Sequence, residues 1–219
     1  MLAWAYLLSG AGMEPMTGME GMTPKPDWAL AAAMWTAMMV AMMLPSAAPA
    51  ILLYGRVHRH SRAATSPPTV AFLAGYLTCW LVFSMVAAAV QLAIAMPASL
   101  ALDNRLASAT LLIGAGLYQL SPLKDACLGR CRSPAQFLAR HYRPGASGAF
   151  RLGLFHGASC VGCCWLLMAL LFVGGVMNLA WIAALTLLVA AEKLMPGGQW
   201  IARIAGGALI GWGAVVVAT

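Results

Sequence analysis

Charge is what this chain has least of. Only 9% of its 219 residues are Asp, Glu, Lys or Arg, and only six are acidic, where a soluble domain carries about 25%. So few charges cannot cover a water-facing surface, which excludes an ordinary soluble fold. They are compatible with a surface facing lipid, which asks of a side chain only that it be apolar. Also lacking is the polar–apolar alternation of a membrane-spanning β-barrel. No Gly-rich phosphate loop or Walker-type sequence is present, which excludes an ATP-driven motor. No aromatic–basic interleaving occurs, so the net charge of +7 does not point to a nucleic-acid partner.

What the chain has is apolar runs, 62% of it being hydrophobic. A span needs roughly 20 apolar residues to cross about 30 Å of hydrocarbon. Such runs occur at 28–54, 69–96, 106–120 (shorter, with Gly), 150–173, 177–195 and 200–218. Residues 2–8 form an apolar stub too short to span. The expected fold is all-α: a polytopic transmembrane helix bundle of about six spans plus the N-terminal stub. Residues 1–27 form the stub and a Met-rich segment, and 28–219 form the bundle, with a basic loop at about 121–149. The lipid bilayer is the first expected partner.

The basic residues orient it. Eleven of them (Arg56, Arg59, Arg62, Lys124, Arg130, Arg132, Arg140, Arg143, Arg151, Lys193 and Arg203) fall on one side and two (Lys25 and Arg105) on the other. The positive side is cytoplasmic. This places the chain in a bacterial inner membrane, with the Met-rich segment in the periplasm and the Cys127 loop in the cytoplasm.

Sulfur is the second abundance: 15 Met and six Cys. The outer segment GMEPMTGMEGM repeats Met13, Met16, Met19 and Met22 at every third residue in a stretch with no core to fill. Thioether sulfur is a soft, neutral ligand suited to Cu(I). On the first span Met34, Met38 and Met42 share one helical face, with Met39 and Met43 on an adjacent stripe. Counted from residue 28, Met34 lies about 9 Å in and Met42 about 21 Å. A ligand ladder and simple packing both fit, since Met fills irregular gaps well. Pro45 and Pro49 are expected to break or kink the inner half of this span.

HGASCVGCCW, on the fourth span, is sharper. His156, Cys160, Cys163 and Cys164 stand at i, i+4, i+7 and i+8, on one stripe. An imidazole aligned with three thiols at membrane depth is a functional-site signal. Gly153, Gly157 and Gly162 allow a neighbouring backbone to approach. Entering near residue 150, Cys160 lies about 15 Å in, and Cys79 on the second span reaches the same level. In the basic loop, Cys127 and Cys131 share one helical turn, and Lys124, Arg130 and Arg132 favour the thiolate that binds metal. His58 and His60 could join a cytoplasmic site or be solvated. Glu192 and Lys193 either pair with each other or snorkel to the interface.

Five stretches, MWTAMMVAMMLPSAAP, YQLSPLKDACLGRCRSP, GASCVGCCWLLM, GGVMNLAW and AEKLMPGG, lie in the order seen in a bacterial domain-of-unknown-function family. The chain resembles that family of predicted metal-binding integral membrane proteins from Met34 to Gly198. The resemblance implies a polytopic membrane fold and a metal site, and no reaction. Family members begin with a complete extra helix; here only AWAYLL stands in its place, so a truncated start is expected.

The resulting expectation is a membrane protein that transports, delivers or stores a soft metal ion, most simply Cu(I), rather than an enzyme. Its partners would be a copper chaperone or other subunits of a membrane complex. Zinc is compatible with the His–Cys set. Two other readings stay open: a thiol–disulfide oxidoreductase using Cys160 and Cys163, and a structural subunit of a larger membrane complex.

Overall fold

The computed structural model describes residues 28–60, 68–94 and 104–219, with the backbone alone for 58–60 and 68. The apolar stub, the Met-rich segment with Met13, Met16, Met19 and Met22, and the side chains of His58 and His60 lie outside the described residues. Within them the chain is helical, and no strand occurs.

All six apolar runs form helices. In chain order these are α1 (Trp28–His60), α2 (Pro68–Ala93), α3 (Arg105–Gln119), α4 (Pro122–Arg132), α5 (Pro134–His141), α6 (Gly145–Ala169), the single turn α7 (Leu171–Gly174), α8 (Leu179–Leu194) and α9 (Gly198–Ala218). Among the described residues four stretches are long and apolar enough to cross a membrane unaided: Trp28–Val57, Thr69–Ala93, Gly145–Gly174 and Gly198–Ala218. The pair α3 and α4, bent by 64°, makes a fifth if it is one broken span. The 16 residues of α8 reach only about 24 Å at helical rise. Leu187 and Ile204 are 70% and 71% exposed, as side chains on an outer apolar face are.

Local chemistry sets the boundaries. Asn104 caps α3 by accepting from the amides of Leu106 and Ala107. Ser121 caps α4 through the amide of Lys124, with Pro122 in the first turn, where its missing N–H costs nothing. That cap is what bends the chain away from α3. The expected loop at 121–149 is thus largely two helices, α4 and α5. Of the break or kink expected at Pro45 and Pro49, the break does not occur: α1 runs through both. Ser46 donates to the Met43 carbonyl at 3.0 Å, as does the Tyr76 hydroxyl at 3.2 Å.

The bundle is organised around α6, which packs on α2 and α4, while α9 lies along α3. The α2–α6 crossing is a backbone contact. A Cβ on Gly153 would stand 2.0 Å from the Phe72 carbonyl oxygen, and one on Gly75 would stand 2.2 Å from that of Phe150. Gly153→Val should therefore prise the two helices apart, costing at least the upper end of the roughly 1–3 kcal/mol of ordinary overpacking. Gly114→Ala, which meets nothing within 4 Å, should leave stability unchanged or slightly raised. Unfolding of the two variants in detergent checks the contrast.

Candidate metal centre

Three thiols are placed by α6 alone. Cys160, Cys163 and Cys164 are buried on its inner face, near enough for their side chains to act on one another. Both neighbours also turn back on the helix: Cys163 Sγ donates to the Cys160 carbonyl at 3.1 Å and Cys164 Sγ to the same oxygen at 2.9 Å. This is the usual resting place of a helical thiol without a better partner.

A fourth thiol comes from α4. Cys131 lies in side-chain hydrogen-bonding reach of both Cys160 and Cys163. Cys127, one turn earlier, sets its Sγ over Gly162, where a Cβ would come within 3.0 Å. Both α4 thiols are partly buried. From α1 comes a thioether: Met43 Sδ is 3.9 Å from Cys164 Sγ. All six cysteines are free.

Two polar groups complete the cluster. Tyr76 on α2 brings its hydroxyl to 3.3 Å from Cys160 Sγ. Lys193 on α8 brings its ammonium to 2.8 Å from the same sulfur, 3.5 Å from Ser46 Oγ and 3.9 Å from Met43 Sδ. Its neighbour in sequence points elsewhere. Glu192 accepts from Lys124 Nζ at 2.6 Å and from Gln119 Nε2 at 2.8 Å, in a pair whose side chains are 0% and 2% exposed. Adjacent helical residues project in different directions, so Glu192 and Lys193 neither pair with each other nor snorkel. Lys124 and Lys193 are thus core groups rather than loop charges.

The structure divides the expected ligands. Cys131, Cys160, Cys163 and Cys164 meet. His156 does not join them: it sits among Phe72, Tyr76 and Phe137 in tilted ring contacts, with centroids 6.0, 5.9 and 5.6 Å away. Its Nδ1 is buried with no hydrogen-bond partner among the described residues. Cys79 donates to the Leu154 carbonyl at 3.3 Å and lies over Gly157. Met38, Met39 and Met42 fill the core, and Met34 packs against it partly buried. Sequence reasoning passed over Met43 and Tyr76 as contributors and misread Lys193. Lys124 also turns from the α4 thiols it was expected to activate. Among the described residues, no three His, Cys, Asp or Glu side chains already stand in metal-holding positions. The thiols would have to leave the Cys160 carbonyl to bind an ion together.

What gathers here is soft: thiols and a thioether, with no carboxylate among the contacts. That donor set favours Cu(I) over hard cations. A family model described as PpoB2, copper chaperone, matches residues 32–216. The chain belongs to the PpoB2 copper-chaperone family. The matched stretch takes in every residue of the sulfur cluster, so membership of the PpoB2 family and the local chemistry agree on copper. No curated protein and no solved structure matches the chain.

Proposed function

We propose that this protein is a multi-pass protein of the bacterial inner membrane that takes Cu(I) as cargo into the buried sulfur cluster and hands it to a recipient protein. The convergence of four thiols from α4 and α6 carries this reading. Cu(I) is satisfied by two or three soft donors, so Cys160 with Cys131 or Cys163 suffices, and Met43 supplies a third, neutral donor.

Transfer follows from the same arrangement. Cys131 and Cys127 share one face of α4 and are less buried than the α6 thiols. Cu(I) moves between thiolates by gaining the incoming sulfur before losing the outgoing one, and Cys131 lies near both Cys160 and Cys163. It therefore bridges the deep site and the outer thiol Cys127. With the positive side inward, the α4 thiols face the cytoplasmic half. The Met13–Met22 segment serves as a periplasmic capture arm.

The first shell of the loaded ion tests this reading. X-ray absorption at the copper edge of purified, Cu(I)-loaded protein should show sulfur alone at two- or three-coordination. A nitrogen-dominated shell, or no copper taken up, overturns it. A metal-free protein whose Cys160–Cys163 pair cycles between dithiol and disulfide with a quinone would favour the oxidoreductase instead.

A further inference from the structure

Lys193 is a buried cation with no carboxylate to answer it among the described residues. The two ion pairs among the described residues are Lys124–Glu192 and Arg203–Asp125. Glu192, the carboxylate adjoining it in sequence, is held by Lys124 and Gln119. The groups facing the Lys193 ammonium are Cys160 on α6 and Ser46 and Met43 on α1, with Cys163, Cys164 and Cys131 near enough to act on it through charge. A buried charge persists only when something nearby compensates it. Here that something is sulfur.

The arithmetic of charge then discriminates among metals. Two thiolates and a monovalent ion sum to −1, and Lys193 brings the site to zero. Two thiolates and a divalent ion sum to zero, and Lys193 leaves an uncompensated +1. Three thiolates around a divalent ion give −1, which Lys193 would also cancel, and four give −2, which it only halves, so the discrimination belongs to a site of two thiolates. In a poorly solvated interior the neutral combination is strongly preferred, because charge there is weakly screened. An ammonium has no lone pair, so Lys193 is never itself a ligand; it acts from outside on Cys160.

We propose that Lys193 is the fixed counter-charge of the sulfur cluster, and that it sets the site for a monovalent soft cation held by two thiolates and against a divalent one. This deepens the copper reading and rests on it. It also gives a reason for the split at Glu192–Lys193. Were the carboxylate free to turn to Lys193, it would cancel the charge the loaded site needs. Lys124 keeps it occupied.

Full-length protein in detergent, titrated against chromophoric chelators with Cu(I), Ag(I) and Zn(II) separately, tests this. Lys193→Met should weaken Cu(I) and Ag(I) by about 10–100-fold, the usual effect of losing an outer partner of a metal site, while Zn(II) affinity holds or rises. Lys193→Arg should keep most of the preference for monovalent ions, since it keeps the charge. An equal loss for all three metals, or an unchanged ratio, overturns the role of Lys193 while leaving the copper reading intact. Wild-type protein that binds neither Cu(I) nor Ag(I) overturns both. Should Lys193→Met fail to fold, Lys193→Gln, which is shorter by one atom but retains a donor, is read by the same ratio.

Discussion

Cys160→Ser is expected to abolish tight Cu(I) binding. Cys160 stands at the centre of the cluster: Cys131, Cys163 and Cys164 are near enough to act on its thiol, with Tyr76 at 3.3 Å and Lys193 at 2.8 Å. Serine keeps nearly the same shape and can still accept from Lys193, so the fold should survive. Its oxygen, however, is a hard donor that Cu(I) binds poorly. The loss should exceed the ~100-fold that removing an outer partner of a metal site can cost. Cys79→Ser is the matched control. Its thiol serves the Leu154 carbonyl, so Cu(I) affinity should not move. Chelator competition on both variants gives the comparison, and equal affinity of Cys160→Ser and wild type would remove Cys160 from the site.

Glu192→Ala should be the most destabilising single change outside the sulfur cluster. Lys124 is fully buried and would be left with its charge unanswered. Breaking such a pair from one side costs about 3–5 kcal/mol. The pair tilts α4 onto α8, and α4 carries Cys131, so Cu(I) affinity should fall along with stability. Replacing both ends, Lys124→Met with Glu192→Leu, should recover stability to within about 1 kcal/mol of wild type or better, because no orphaned charge remains. Denaturant titrations in micelles measure both. A Glu192→Ala protein as stable as wild type would mean that the pair carries none of this load.

The bundle was legible because apolar length and helical rise are local properties. Each run needed only its own residues to declare a helix. The thiol stripe of α6 was legible for the same reason: Cys160, Cys163 and Cys164 share a face whatever surrounds them. The partners of that stripe were not, because they depend on which faces meet. Depth arithmetic put Cys79 level with Cys160, and it is near, but it points at a backbone carbonyl. Met42 and Met43 are neighbours on adjacent stripes, and only packing decides that Met43 meets the thiols. His156 lies on the right stripe, yet one turn from Cys160 it enters an aromatic box. Cys131 sat in a basic segment that reads as a loop; the Ser121 cap and the Lys124–Glu192 pair bring it inward. Lys193 read as an interfacial charge because nothing in a single sequence reveals that its side chain turns inward at the end of α8.

The sulfur cluster draws its members from five separate helices, and Lys193 stands 150 residues beyond Met43. A chain still emerging from the ribosome exposes Met43 first and acquires its thiols in stages. Its thiols lack the Lys193 counter-charge until α8 has been inserted. The cluster in its complete form, counter-charge included, is therefore assembled only late in translation.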